Sequence, residues 1–146
     1  SLYLREIAGR EEGAPPPVDL ALERRNGDFV RTGILSGDIR ACHDLSDGGL
    51  LVALTEMCLA GNTGAALSAL PDDQTPHGWL FGEDQARYLV ATTDGPALVE
   101  KATAQNVSAR IIGCSGGSSL TVAGIGETGL DSLRQAHENW MPAYMA

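Results

Sequence analysis

The sequence is poor in basic residues: ten Lys and Arg stand against nineteen Asp and Glu, so the formal net charge is −9. Phosphate backbones and anionic lipid surfaces carry charge of the same sign and are repelled. The chain also lacks the run of roughly 18 apolar residues that a membrane-spanning helix needs. We therefore expect neither nucleic acid nor a membrane as a partner. A small phosphorylated ligand would require local amides, an arginine or a divalent cation to outweigh the net charge.

Cysteine is scarce as well. Cys42, Cys58 and Cys114 lie far apart inside apolar runs, so neither a disulfide framework nor a CxxC metal pattern is indicated. This usage favours a reducing compartment, and no basic segment followed by an apolar stretch resembles a secretory signal. We therefore expect a cytoplasmic protein. Cys42 is either a thiol nucleophile or a residue that packs inside a strand.

Apolar runs separated by turn residues predict a single domain of 146 residues that mixes helices and strands, an α+β fold. The predicted helices lie between Asp19 and Gly37 and over Leu50–Ala60, Ala97–Gln105 and Leu130–Tyr144. The predicted strands lie over Ile39–His43, Gly64–Leu70 and Arg87–Thr92, with a hairpin formed by Ala109–Cys114 and Ser119–Ala123. Loops are predicted at the proline run Pro15–Pro17 and at Pro71–Pro76.

The most informative segment is His43-Asp44-Leu45-Ser46-Asp47-Gly48-Gly49-Leu50, between a predicted strand and a predicted helix. Asp44 and Asp47 are spaced to flank a hydrated Mg²⁺, and Gly48 and Gly49 could leave the first helix amides free to approach a phosphate. The alternative is an ordinary helix start with a tight turn, capped by Ser46 or Asp47. The spacing alone leaves both interpretations open.

A second polar cluster, Glu83-Asp84-Gln85, precedes the predicted strand that starts at Arg87. It could bind the hydroxyls of a ribose or a metal-bound water, and the alternative is a solvated turn. Because both clusters adjoin strand ends, we expect them on one edge of the sheet.

A third segment, Gly124–Gly129, fits the GxGxxG pattern of dinucleotide-binding loops. Only 17 residues follow Gly129, too few to complete a βαβ unit, so a glycine-rich turn is predicted there.

Five segments together resemble the last domain of the large subunit in the phosphoribosylformylglycinamidine synthase family. They are Ser1–Leu4, Gly9–Leu20, His43–Leu50, Leu80–Tyr88 and His137–Trp140. The string from His43 to Leu50 is similar to a wider superfamily that includes aminoimidazole ribonucleotide synthetase, selenophosphate synthetase and thiamine monophosphate kinase. The proline-rich opening and the Gly-Glu-Asp-Gln string narrow the resemblance to the synthase.

The resemblance implies an enzyme that converts formylglycinamide ribonucleotide, ATP and glutamine-derived ammonia to formylglycinamidine ribonucleotide, ADP and phosphate. It implies a layered α/β/α domain with a mixed sheet, partly ferredoxin-like, as in the C-terminal domain of aminoimidazole ribonucleotide synthetase. Preceding domains of the same polypeptide, a glutaminase subunit and a small bridging subunit would be its partners. Mg²⁺ and ATP or ADP would serve the full-length enzyme, and we expect neither to bind tightly to the isolated chain.

The resemblance also implies roles for site residues. Asp44 matches a metal-binding position, and an auxiliary nucleotide or phosphate site would comprise Asp47, Gly48, Gly49, Glu83, Asp84 and Gln85. No catalytic residue is carried over, because the catalytic histidine and most ATP and Mg²⁺ ligands of the family belong to earlier domains. We therefore expect the isolated chain to be inactive.

The start at Ser1 instead of a methionine is expected of a fragment or a processed chain, and the end at Tyr144-Met145-Ala146 is expected of a natural terminus in a separate large subunit. The alternatives are a free-standing nucleotide-binding or interaction module and the equivalent domain of another superfamily member.

Overall fold

A computed structural model of the chain describes residues 1–68 and 75–146. Its helices are α1 (Leu2–Glu6), α2 (Leu20–Ser36), α3 (Gly49–Gly61), α4 (Pro76–Phe81), α5 (Gly95–Ala104) and α6 (Leu130–Met145). Its strands are β1 (Ala41–Asp44), β2 (Ala65–Leu67), β3 (Tyr88–Ala91), β4 (Gly113–Ser115), β5 (Ser119–Val122) and β6 (Gly126–Gly129). The described residues form two compact units, one of residues 1–53 and 75–111 and the other of residues 54–68 and 112–146.

In the first unit, β1 and β3 form an antiparallel pair in which Ala41 lies opposite Ala91 and Asp44 lies opposite Tyr88. One core cluster of this unit consists of Phe29, Ile39, Leu98, Ala102 and Val107, with Val30, Cys42 and Val90 packed against it. Helices α2 and α5 supply three of its five buried side chains.

Helix α2 begins and ends where the sequence predicts. The Asp19 carboxylate accepts hydrogen bonds from the amides of Ala21 and Leu22, and Gly37 ends the helix in the left-handed conformation with φ +79°. Its apolar residues do not share one face, however. Leu20 is 73% exposed while Phe29 is buried, because nine residues correspond to about two and a half helical turns and place the two side chains on opposite sides.

In the second unit, four strands form a mixed sheet in the order β4-β2-β5-β6. Strand β2 is antiparallel to β4 and parallel to β5, and Ala65 has Ser115 on one side and Leu120 on the other. The predicted hairpin of β4 with β5 is therefore wrong. The Ser115–Ser118 connection instead passes around the end of β2, where the Gly64 amide donates to Gly117 O and the Gly116 amide donates to Gly64 O, both at 2.8 Å.

The hairpin of this unit joins β5 to β6, with Val122 opposite Gly126. The Gly124–Gly129 segment thus supplies the predicted turn, with Gly124 at φ +76°, and continues into strand β6, which the sequence did not predict.

Helices α1 and α4 were not predicted either. Pro76 is the first residue of α4, so the predicted Pro71–Pro76 loop is wrong at its last residue, while residues 71–74 lie outside the described part of the chain, as do residues 69 and 70 of the predicted second strand. The predicted α+β class is confirmed, because helices are interspersed with strands and one sheet is mixed. No helix among the described residues is long and apolar enough to cross a bilayer.

Candidate functional site

The first unit brings the two predicted polar clusters together. Asp44 ends β1 opposite Tyr88, which begins β3, and beyond this pair the Leu45 amide donates to Arg87 O at 2.9 Å. The chain entering β3 and the chain leaving β1 therefore lie side by side. We call residues 44–49 the first loop, residues 82–87 the second loop, and the two together the paired loops.

Glu83 connects the paired loops directly. Its Oε1 accepts a hydrogen bond from the Gly48 amide at 3.1 Å and another from the Leu2 amide at 2.8 Å. One oxygen of this half-buried carboxylate therefore already has two donors from the protein.

The structure requires glycine at positions 48 and 49 of the first loop, because of both the backbone conformation and the lack of space for a side chain. Gly48 and Gly49 have backbone φ angles of +80° and +70°, which residues other than glycine rarely adopt. A Cβ on Gly48 would lie 2.4 Å from Val52 Cγ2, and one on Gly49 would lie 2.7 Å from Gly82 O. The Gly49 amide donates to Ser46 O at 3.0 Å. With Gly48 bonded to Glu83, neither glycine amide is free, and a phosphate bound by both does not fit this arrangement.

The carboxylates of the paired loops differ in their environments. Asp84 pairs with Arg87 at 3.0 Å. Asp44 and Asp47 are exposed, and His43 Nδ1 lies 3.8 Å from Asp44 Oδ1. Within residues 1–68 and 75–146 no group of three or more His, Cys, Asp or Glu side chains could hold a metal ion. Asp44 and Asp47 are both exposed, and Mg²⁺ in proteins commonly binds through one or two carboxylates while it keeps several waters.

Helix α1 lies against the same region. The Tyr3 ring stacks on Phe81 with a centroid distance of 4.7 Å and on His77 at 6.1 Å. The pKa of Arg5 is raised, chiefly by its hydrogen bond with Glu6 and to a smaller extent by the charges of Glu11 and Asp47. The stacking of Tyr3 on Phe81 and the hydrogen bond from the Leu2 amide to Glu83 place the N-terminal segment beside residues 81–83.

Sequence reasoning missed the aromatic and cationic groups beside the second loop. The guanidinium carbon of Arg110 lies 4.0 Å from the centre of the Trp79 ring, and that of Arg87 lies 5.2 Å from it. Arg87 also donates to Asp84. Arg87 belongs to the string that carries the family resemblance, whereas Trp79 and Arg110 had no sequence signal because their contact joins segments distant along the chain.

Cys42 lies on β1 and packs against the core of the first unit. Burial raises the pKa of its thiol, and the charge of Asp44 raises it further. A raised pKa disfavours the thiolate, the form needed for nucleophilic attack, so the geometry favours a packing role.

A family model described as "AIR synthase related protein, C-terminal domain" matches residues 1–124. The chain therefore belongs to this family of C-terminal domains, and the resemblance seen in the sequence is confirmed.

Among curated relatives, phosphoribosylformylglycinamidine synthase subunit PurL of Acidiphilium cryptum is 57% identical over 146 residues, covering 100% of this chain and 20% of the relative. The subunit PurL of Rhodospirillum rubrum is 55% identical over 148 residues, again with 100% and 20% covered. The chain thus spans about one fifth of the length of these relatives.

Solved structures share the fold. The chain is similar to Thermotoga maritima PurL complexed with FGAR, with a TM-score of 0.70 and 18% identity over 88% of this chain and 24% of that one. It is also similar to T. maritima PurL complexed with ATP, with a TM-score of 0.64 and 20% identity over 75% of this chain and 21% of that one. At such identity the likeness concerns the fold alone.

Proposed function

We propose that the chain is the C-terminal domain of an ATP-dependent carbon–nitrogen ligase, the large subunit of phosphoribosylformylglycinamidine synthase. The complete enzyme would convert formylglycinamide ribonucleotide, ATP and glutamine-derived ammonia to formylglycinamidine ribonucleotide, ADP and phosphate. The observation that carries this proposal is the 57% identity over all 146 residues to a subunit of that name.

Within this enzyme the chain acts as one structural domain and supplies no catalytic residue. The matching family model extends over residues 1–124, which include parts of both compact units, and this supports their assignment to a single domain. The groups that perform phosphoryl transfer would come from other domains of the polypeptide.

The paired loops form an auxiliary site in this proposal. Asp44 and Asp47 would hold a hydrated Mg²⁺, which would supply positive charge to offset that of the ATP or ADP phosphates, and the exposed Asp84 and Gln85 would contact the nucleotide. Gly48, Gly49 and Glu83 would shape the loops, since their amides and carboxylate are engaged within the protein. Solved T. maritima PurL structures include complexes with ATP and with ADP.

The proposed partners are the preceding domains, a glutaminase subunit and a small bridging subunit. A structural neighbour is named PurLQS from Thermotoga maritima, which is consistent with a multi-subunit assembly. A cytoplasmic location is supported by Cys42, Cys58 and Cys114, all of which are free thiols, as expected in a reducing compartment.

A domain exchange tests the proposal. The matching fifth of Acidiphilium cryptum subunit PurL is replaced by this chain, and ammonia-dependent formation of formylglycinamidine ribonucleotide is measured. We expect an active chimaera, while the same subunit truncated before the exchanged region should be inactive. A folded chimaera without activity, or a truncated subunit with full activity, would contradict the proposal.

A binding measurement separates the proposal from a free-standing nucleotide-binding module. Titration of the isolated chain with ADP and Mg²⁺ in a calorimeter should give no tight binding, because one domain supplies only part of the pocket. Tight binding would favour the free-standing module.

A further inference from the structure

Gly48 is buried and lies directly before α3, which begins at Gly49. A buried N–H needs a hydrogen-bond partner, and the positive potential at the N-terminus of a helix favours a negatively charged one nearby. In this fold the partner is a carboxylate from the other loop, Glu83, at 3.1 Å. The Glu83 carboxylate therefore occupies the position that an external phosphate would need in order to bind this amide.

The same oxygen of Glu83 also holds the N-terminal segment. It accepts a hydrogen bond from the Leu2 amide at 2.8 Å. One residue further along, the Tyr3 ring stacks on Phe81, which precedes the second loop. Helix α1 is thus attached at two neighbouring points, one polar and one aromatic.

We propose that Glu83 is a positioning residue: its carboxylate serves as the internal anion of the Gly48 amide and couples the docking of α1 to the conformation of the first loop. While Glu83 is present, no external phosphate or carboxylate binds at Gly48. This role rests on the contacts of the first unit alone and goes beyond the proposed function, so its failure would leave the ligase assignment intact.

The coupling has a physical basis in the shared acceptor. Hydrogen bonds from amides to a carboxylate are about twice as strong as those between neutral groups. Removing the carboxylate leaves a buried donor without a partner and releases Leu2 at the same time. Both segments should therefore respond to a single substitution.

NMR on the isolated chain tests the proposal with Glu83→Ala, Glu83→Gln and the neighbouring control Asp84→Ala. Glu83→Ala should accelerate hydrogen exchange of the Gly48 amide about tenfold or more, the effect of losing a charge-assisted bond, and abolish the contacts between the Tyr3 and Phe81 rings. Glu83→Gln keeps an uncharged acceptor and should give a smaller acceleration. Asp84→Ala should change neither signal, because Asp84 bonds to Arg87 and to neither amide.

Chemical rescue tests the anion itself. Sodium acetate should slow Gly48 exchange in Glu83→Ala relative to sodium chloride of equal ionic strength, and should leave the wild type unchanged. Unaltered Gly48 exchange in Glu83→Ala, or acetate acting no differently from chloride, would overturn the proposal. If Glu83→Ala fails to fold, the Gln variant decides: exchange equal to the wild type overturns the proposal, and faster exchange in a folded protein supports it.

Discussion

Gly49 touches the backbone of Phe81 so closely that no side chain fits between them. A Cβ on Gly49 would lie 2.7 Å from the carbonyl carbon of Phe81 and 2.7 Å from Gly82 O. This contact holds the start of α3 against the end of α4. The conformation of the paired loops thus depends on a position without a side chain.

Gly49→Ala should lower the free energy of unfolding by roughly 2 to 5 kcal/mol, of which about 1 to 2 kcal/mol comes from the left-handed backbone and the rest from steric overlap. Gly37→Ala is the matched control, because Gly37 has φ +79° but no atom within 4 Å of a Cβ. It should cost only the backbone part. Equal losses for both variants in denaturant unfolding would show that the Phe81 contact contributes nothing.

Leu54→Ala should reduce the free energy of unfolding by roughly 2 to 5 kcal/mol, because it removes a buried side chain from α3. Val52→Ala is the control on the same helix, where the side chain is 38% exposed. It should cost under about 1 kcal/mol, since Ala also favours helix more than Val does. A Leu54→Ala loss below about half a kcal/mol would contradict the buried placement.

Lys101→Gln should raise the pKa of Asp38 towards its ordinary value. The pKa is lowered chiefly by the hydrogen bond from Lys101 and secondarily by that from Ser36. A lowered pKa means that the pair stabilises the fold above the ordinary carboxyl pKa and that this stabilisation disappears as the pH falls through the folded-state pKa. NMR titration of the Asp38 carboxyl carbon measures the shift, and Ser36→Ala should produce a smaller one. A larger shift in Ser36→Ala would reverse the assigned order of causes.

Asp44→Asn in the full-length enzyme should reduce the rise in Tm produced by ADP and Mg²⁺, because a ligand that binds only the folded state stabilises it in proportion to occupancy. Turnover should fall only modestly, since the proposed site is auxiliary. Asp131→Asn, on α6, is the charge-matched control and should leave the ligand-induced rise unchanged. Loss of turnover as complete as that expected for a catalytic residue would refute the auxiliary role.

The isolated chain should show no ammonia-dependent ATP hydrolysis and form no formylglycinamidine ribonucleotide. Phosphoryl transfer depends on groups positioned by several domains, and the positioning itself accounts for much of the rate. A coupled assay for ADP and a product assay check this, with protein purified from a strain that lacks the endogenous enzyme. Product formation by that preparation would disprove the expectation.

Part of the candidate site could be foreseen from the sequence. Asp44 and Glu83 stood out because each adjoins a predicted strand end, and the antiparallel pairing of β1 with β3 brings their loops together. The partners of Glu83 could not be foreseen. Its contact with Leu2 spans 81 positions of the chain, and no local pattern encodes an interaction over that distance.

Local chemistry by itself determined the long helices and their ends. The Asp19 cap and Gly37 bound α2, and Asn62, with φ 47°, follows α3 directly, because capping and left-handed residues act within one helical turn of their own position. Only the tertiary structure decided that β2 lies between β4 and β5 and that the Gly48 amide donates its hydrogen bond to Glu83. Strand order and hydrogen bonds between distant segments depend on which surfaces pack together in the folded chain, and the local sequence does not specify this.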